Sequence, residues 1–172
     1  MKHFFSLATF ILLSCSGLNA QNLFIIGNKS YPCTETFSLK HKSFSFNDLD
    51  VLIAKDGTTG LIVVSVTTVS KDVLIRGKLT IYLDDGTVIS CLDRGKYDYV
   101  DNIATTIFYL TKDELEKMKV VNINTIRYTL KCVSGCSYPT ESFSASNKES
   151  GYGYEKKEKT DVPNLIRELF GD

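Results

Sequence analysis

Five cysteines and two histidines are the residues of this 172-residue chain whose chemistry depends most on where the protein resides. Cys15 lies in an apolar leader, and Cys33, Cys91, Cys132 and Cys136 lie in the body. In an oxidising compartment an even set of cysteines in a small domain reads as a disulfide framework. Cys132 and Cys136 are close in sequence, with Gly135 between them to allow a tight loop. Pairing them leaves Cys33 for Cys91, a longer loop whose closure would stabilise the fold by about 4 kcal/mol in the chain-entropy model. Zinc binding by four thiolates is the alternative. It is weakened because the run 132–136 is not spaced as a zinc knuckle and the other two cysteines are isolated. A thioredoxin-like redox pair would want CxxC opening a helix, where this chain has CxxxC. No metal and no cofactor is expected.

His3 belongs to the leader, which leaves His41. A zinc site built on two or three histidines is therefore excluded, and a histidine-dependent triad would have to use that one residue. His41 sits in the run 39–43 between Lys40 and Lys42, which reads as a basic, solvated turn whose neighbours disfavour the charged imidazole. Asp84, Asp85, Asp98, Asp101 and Glu114 could supply an acid and a base, yet each has a simpler role. Asp85 serves a turn, Glu114 caps a helix, and Asp98 and Asp101 lie in a polar loop. No catalytic residue is assigned. The loop 93–101 is the strongest recognition surface, because Arg94, Tyr97 and Tyr99 are residue types that bind by stacking and hydrogen bonding. Tryptophan is absent, so a sugar platform would have to rest on tyrosine.

The compartment is set by the first twenty residues. Lys2 and His3 form a basic start, residues 4–13 are apolar apart from Ser6 and Thr9, and Ala20 precedes Gln21. This pattern reads as a secretory signal peptide cut after Ala20. Its apolar core is shorter than the roughly 20 residues a bilayer crossing needs. The run 12–15 also looks like a lipoprotein box, with lipidation at Cys15 as the less favoured outcome. Lipidation would hold the protein on a membrane surface, whereas cleavage at Ala20 releases it. Either way the protein is expected to be exported: periplasmic, at the cell surface or secreted.

Removing twenty residues leaves 152, enough for one domain with a real core, and the loss of Lys2 leaves 19 bases against 20 acids, a net charge of −1. That balance gives no electrostatic case for nucleic acid, nor for a membrane partner unless Cys15 is lipidated.

The elements that must position these residues are mostly strands. Residues 23–26 form a first strand stopped by Gly27-Asn28. Phe37, Leu39, Phe44 and Phe46 supply one or two more around His41. Residues 51–54 and 61–66 flank a loop with Gly57 and Gly60, a hairpin pattern. Residues 78–83 and 87–92 flank Asp85-Gly86, which suits a two-residue type I′ turn facing Leu83 to Val88, Ile81 to Ser90 and Leu79 to Leu92. After a polar connection over 93–102, residues 103–110 form a strand with apolar character on both faces. Thr111 and Glu114 make a capping box that starts a short helix at about Lys112, with Leu115 and Met118 buried. Ile126, Tyr128 and Leu130 then alternate with Thr125, Arg127, Thr129 and Lys131, a half-buried strand.

The fold class is mainly β: a compact antiparallel β-sandwich or partly open barrel over 21–133, with one short inserted helix. Residues 134–160 are rich in Ser, Gly, Tyr, Lys and Glu and are expected to be a flexible polar linker. Over 161–172, Asp161 caps a helix in which Val162, Leu165, Ile166, Leu169 and Phe170 form one apolar stripe. That stripe either docks on the domain's own sheet or is offered to a groove in another protein. The function expected from these features is an exported, non-enzymatic β-domain that binds a protein or glycan through its loops and, in the second case, its terminal helix. A small secreted hydrolase or inhibitor-like protein that depends on carboxylates is the alternative.

Overall fold

The computed structural model describes residues 22–41, 48–148 and 158–171. The expected leader with Cys15, and Phe44 and Phe46, lie outside these residues. The first half of the chain supplies β1 (Asn22–Ile26), β2 (Lys29–Cys33), β3 (Phe37–His41), β4 (Leu49–Asp56), β5 (Thr59–Thr67) and β6 (Val73–Ile75). The second half supplies β7 (Leu79–Leu83), β8 (Val88–Cys91), β9 (Tyr97–Val100), β10 (Ile103–Leu110), α1 (Lys112–Met118), β11 (Ile123–Cys132), β12 (Glu141–Ser146) and α2 (Val162–Phe170). The strands form one antiparallel, curled sheet in the order β8-β7-β11-β12-β3-β4-β5-β10-β9, with β2 added to β4, β1 to β2 and β6 to β11.

The alternation of apolar residues explains the curl. Val51, Ile53, Ile62, Val64, Phe108 and Leu110 turn inward to meet Leu79, Ile81, Ile126 and Tyr128 from the opposite wall. Ala54, Leu61, Val63 and Ile107 face outward instead, where Phe24, Ile26 and Tyr31 of the β1–β2 hairpin cover them. Strands buried on both faces carry apolar residues at consecutive positions, and β5 reads that way. The barrel stays partly open between β6 and β10. There the Thr106 hydroxyl, fully buried, donates to the Ile75 carbonyl at 2.9 Å and bridges the gap that a ladder would otherwise fill.

The capping box is present: the Glu114 N–H donates to Thr111 Oγ1 at 3.3 Å and the Thr111 N–H donates to the Glu114 carboxylate at 2.7 Å. Helix α1 lays Leu115 over the start of β5, where a Cβ on Gly60 would stand 3.0 Å from both Leu115 methyls. Glycine is what lets the helix come that close.

Three expectations are corrected. The β7–β8 hairpin has a three-residue loop, Asp84-Asp85-Gly86, in which the Leu83 N–H donates to the Thr87 carbonyl at 2.9 Å and Gly86 takes a φ of 86°. This is the type I turn with a glycine bulge. It pairs Tyr82 with Val88 and Ile81 with Ile89, one residue away from the expected register. The slip turns Ile89 and Cys91 inward and leaves Val88 and Leu92 exposed. The connection over 93–102 contains a strand of its own, β9, joined to β10 by Asp101 and Asn102 at φ 51° and 66°.

The third correction concerns the linker. Residues 141–146 of the expected tether are β12, which joins β11 to β3 and closes the wall. Its outer face is held by hydroxyls rather than apolar contacts: Ser142 meets Thr129 at 3.1 Å and Ser146 meets Thr125 at 3.0 Å. Residues 149–157 lie outside the described residues.

The terminal helix takes the first of its two expected places and docks on its own domain. Val162, Ile166 and Leu169 are buried in the main core, with Leu165 and Phe170 packed against it. Arg167 donates to the Lys119 carbonyl at 2.7 Å, satisfying the end of α1, and Lys55 and Lys119 lie over the Phe170 ring at 5.1 and 5.3 Å. Asp161 caps the start, accepting the Asn164 N–H at 3.1 Å, and Gly171 ends the helix in the left-handed region. These five apolar residues are therefore part of the core and not a free partner surface.

Candidate functional site

The structure forms one of the two expected disulfides. Cys132 and Cys136 are bonded, with Cα atoms 5.8 Å apart, while Cys33 and Cys91 are free and buried. The expected Cys33–Cys91 bond is absent because the two residues belong to different cores: Cys91 faces the barrel interior, and Cys33 lies under the outer β1–β2 layer. Burial, with Glu114 adding to it, pushes the Cys91 thiol up to about 12, and burial raises Cys33 as well. Thiols held protonated in this way are poor nucleophiles and poor metal ligands. Among the described residues no cluster of three His, Cys, Asp or Glu side chains could hold a metal ion.

His41 is not the solvated turn that its basic neighbours suggest. It ends β3 half-buried, and the Tyr128 hydroxyl stands 2.8 Å from its Nε2. The Phe143 ring packs edge-on to it at 6.1 Å. Burial lowers the His41 pKa below its ordinary value, and the Asp48 carboxylate opposes that shift. Burial also raises the Tyr128 pKa, so the phenol keeps its proton. A neutral imidazole beside a protonated phenol lets the hydroxyl donate to Nε2. The sequence signal for this pair was weak, since His41 and Tyr128 are 87 residues apart.

The carboxylates with a resolved shift offer no general acid. Lys159, 2.5 Å from Asp84, holds that carboxyl below its usual value, and the Thr87 N–H does the same for Asp85. A general acid needs a shift in the other direction.

The expected recognition residues are divided between two places. Tyr97, 51% exposed, lies against the Arg76 guanidinium at 4.9 Å from the ring centroid. Arg94 stacks on Tyr109 at 4.8 Å, and the Tyr99 hydroxyl donates to Asn102 at 3.0 Å. The centre of this surface is Arg76, which the sequence did not single out. Its Nε lies 3.1 Å from Asp93 Oδ2. Asp93 also accepts the N–H groups of Gly77 at 3.0 Å and Gly95 at 2.7 Å, both glycines at positive φ. Asp93 thereby fixes the β6–β7 connection to the β8–β9 connection and aims the guanidinium at Tyr97.

A cleft of about 570 Å³, its walls including Arg76, Asp93, Thr129, Lys131 and Thr140, opens beside this group. Arg76 Nη1 is buried and has no acceptor among the described residues. An unsatisfied buried donor costs about 1–3 kcal/mol, so the guanidinium has hydrogen-bonding capacity left for an incoming acceptor. The arrangement is a rigid cation–aromatic pair beside a polar cleft. It suits recognition of a group bearing oxygen acceptors.

Comparisons with protein-family models, with characterised proteins and with solved structures return no match to this chain.

Proposed function

We propose that this protein is an exported, non-enzymatic β-domain that binds a protein partner on the face formed by Arg76, Asp93 and Tyr97. The observation that carries the reading is the exposed Tyr97 ring held against a guanidinium that is itself fixed by Asp93. Tyrosine and arginine dominate the energetics of protein interfaces, and a side chain already held in place loses less entropy on binding. A protein is favoured over a glycan because the Tyr97 ring, on which a sugar would have to stack, is already engaged by Arg76. Export is supported by the leader-like first twenty residues and is in keeping with the Cys132–Cys136 bond.

The test is a photo-crosslinker placed at Lys131, on the cleft wall, in protein expressed with its leader. A single crosslinked polypeptide is expected, lost when Arg76→Ala or Asp93→Ala is added. Crosslinking to polysaccharide alone, or to a polypeptide indifferent to both substitutions, contradicts the reading. Mass analysis of the same sample gives the first residue, and a chain that keeps residues 1–20 uncleaved contradicts export.

A further inference from the structure

We infer that the outer face of the domain has room for one more strand, and that an extended peptide segment of a partner, apolar at alternate positions and basic at one end, fills it by pairing with β1. This goes beyond the Arg76 face, since it uses the backbone edge of β1; the two surfaces share only Tyr97, which lies against Arg76 and also lines the groove beside β1.

Among the described residues strand β1 pairs only with β2. The pairing register joins Ile26 to Lys29 across a two-residue turn with Gly27 at φ 58°, and it puts Leu23 opposite Pro32, which has no N–H to give. Bonded and non-bonded pairs alternate along an antiparallel ladder, so Asn22, Phe24 and Ile26 bond toward β2. The N–H and C=O groups of Leu23 and Ile25 point the other way, to the free edge. Sheet edges are normally blunted by charge, proline or a bulge. The run Asn22–Ile26 has none of these, and Leu23 and Ile25 are 60% and 67% exposed.

The free edge borders a groove. Residues 24–27 of the hairpin form one wall, residues 95–98 the other, and Thr105 and Ile107 of β10 the floor, enclosing about 380 Å³. In layered terms, β2 and β1 cover β4 and β5, and none of the described residues takes the next place in the upper layer, above β10. A second groove of about 350 Å³ continues along the same face, sharing Thr105 and Asp98 and adding Asp50 and Asp101.

These walls define the occupant. Carbonyl and amide groups two residues apart are matched by another extended backbone. Ile107 and the uncharged β1 favour apolar or β-branched side chains on the incoming strand, and Asp50, Asp98 and Asp101 favour lysine or arginine where it continues. A second copy of this chain fits poorly. It would bring its own β4–β5–β10 layer, on the same side of its hairpin, into the space that β9 occupies.

The test uses a capped seven-residue peptide of alternating threonine and isoleucine ending in two lysines, and a version ending in two glutamates. Amide hydrogen exchange is followed by NMR on the full domain. With the lysine peptide at millimolar concentration, exchange at Leu23 and Ile25 is expected to slow at least tenfold, with the glutamate peptide binding at least tenfold more weakly. Ile25→Pro removes a free-edge N–H and should abolish the protection of Leu23. The double variant Asp98→Asn, Asp101→Asn keeps β1 intact and should erase the difference between the two peptides. Three results would overturn the proposal: no slowing at Leu23 and Ile25, equal binding of both peptides to the unmodified protein, or protection that is already present without peptide and rises with protein concentration. The last would assign the edge to a second copy. Because the readout is on β1 and the ligand is synthetic, the result is independent of what binds at Arg76.

Discussion

Asn147 and Thr160 hold each other at two points: the Asn147 amide donates to the Thr160 carbonyl at 2.9 Å, and the Thr160 N–H donates back to Asn147 Oδ1 at 3.0 Å. Asn122 reinforces the clamp, donating to the same carbonyl at 2.9 Å and accepting the Val162 N–H at 3.3 Å. Asn147 is buried, so its amide cannot be replaced by solvent without rearrangement. Replacing it with alanine leaves partners unsatisfied, and Asn147→Ala is expected to destabilise the domain by about 2 kcal/mol. Urea denaturation measures this, and an unchanged midpoint would show that the clamp contributes nothing.

The docking of α2 is tested by Ile166→Ala. Ile166 is fully buried in the main core, so truncation should cost about 2–5 kcal/mol. A helix poised for a partner would lose almost nothing on the same substitution, and the two readings separate cleanly in a thermal melt.

The cysteines make a prediction about mass. Alkylation of the native protein should spare Cys33 and Cys91, alkylation after denaturation should modify both, and Cys132 and Cys136 should react only after reduction. Closing so short a loop contributes about 2 kcal/mol in the chain-entropy model, so reduction should lower stability by that order without unfolding the domain. Modification of Cys91 in the native state would contradict its burial.

His41 gives the domain a pH dependence. Its folded pKa lies below the ordinary 6.5, chiefly because burial disfavours the imidazolium. Below 6.5 the unfolded chain therefore takes up the proton before the folded one does. Stability from this residue is fully present above 6.5 and falls as the pH is lowered toward the folded pKa. Stability measured in steps below 6.5 should fall less steeply in His41→Gln than in the unmodified protein. Parallel slopes would remove His41 from the account.

Gly60 sets the distance between α1 and β5. Leu115 is nearly fully buried and has nowhere to swing, so Gly60→Ala should cost about 1–3 kcal/mol through overpacking. Adding Leu115→Ala should recover part of that loss if the two act through the same contact, and a double-mutant cycle reads the coupling.

The sequence was most legible where local chemistry decides the structure. Thr111 and Glu114 lie within one turn of each other, so the capping box could be recognised without knowing what the helix packs on. The turn at Asp85-Gly86 was equally visible, but its register depends on whether Asp84 joins the loop. Val88 and Leu92 look as buriable as Ile89 and Cys91, so the flanking strand could not decide. Strand β12 was hidden because its cross-strand contacts use Ser142 and Ser146, residue types that also make linkers. The same holds at the candidate site. Arg94, Tyr97 and Tyr99 stood out by type, whereas Arg76 gains its place only when Asp93 bonds the two connections together. The Cys33–Cys91 pairing failed for a related reason: sequence counts thiols but does not show which side of a wall each one faces.

The position of α2 also has a consequence for the order of assembly. Phe170 meets Lys55 across a separation of 115 residues, and the helix seals a core whose other members lie far upstream. During synthesis the hairpins can form as they emerge, because their partners are neighbours, but the main core lacks Val162, Ile166 and Leu169 until α2 arrives. A nascent chain paused before residue 162 would keep an unsealed apolar interior that a holdase could grip. The last part of the main core in chain order is supplied by a nine-residue helix.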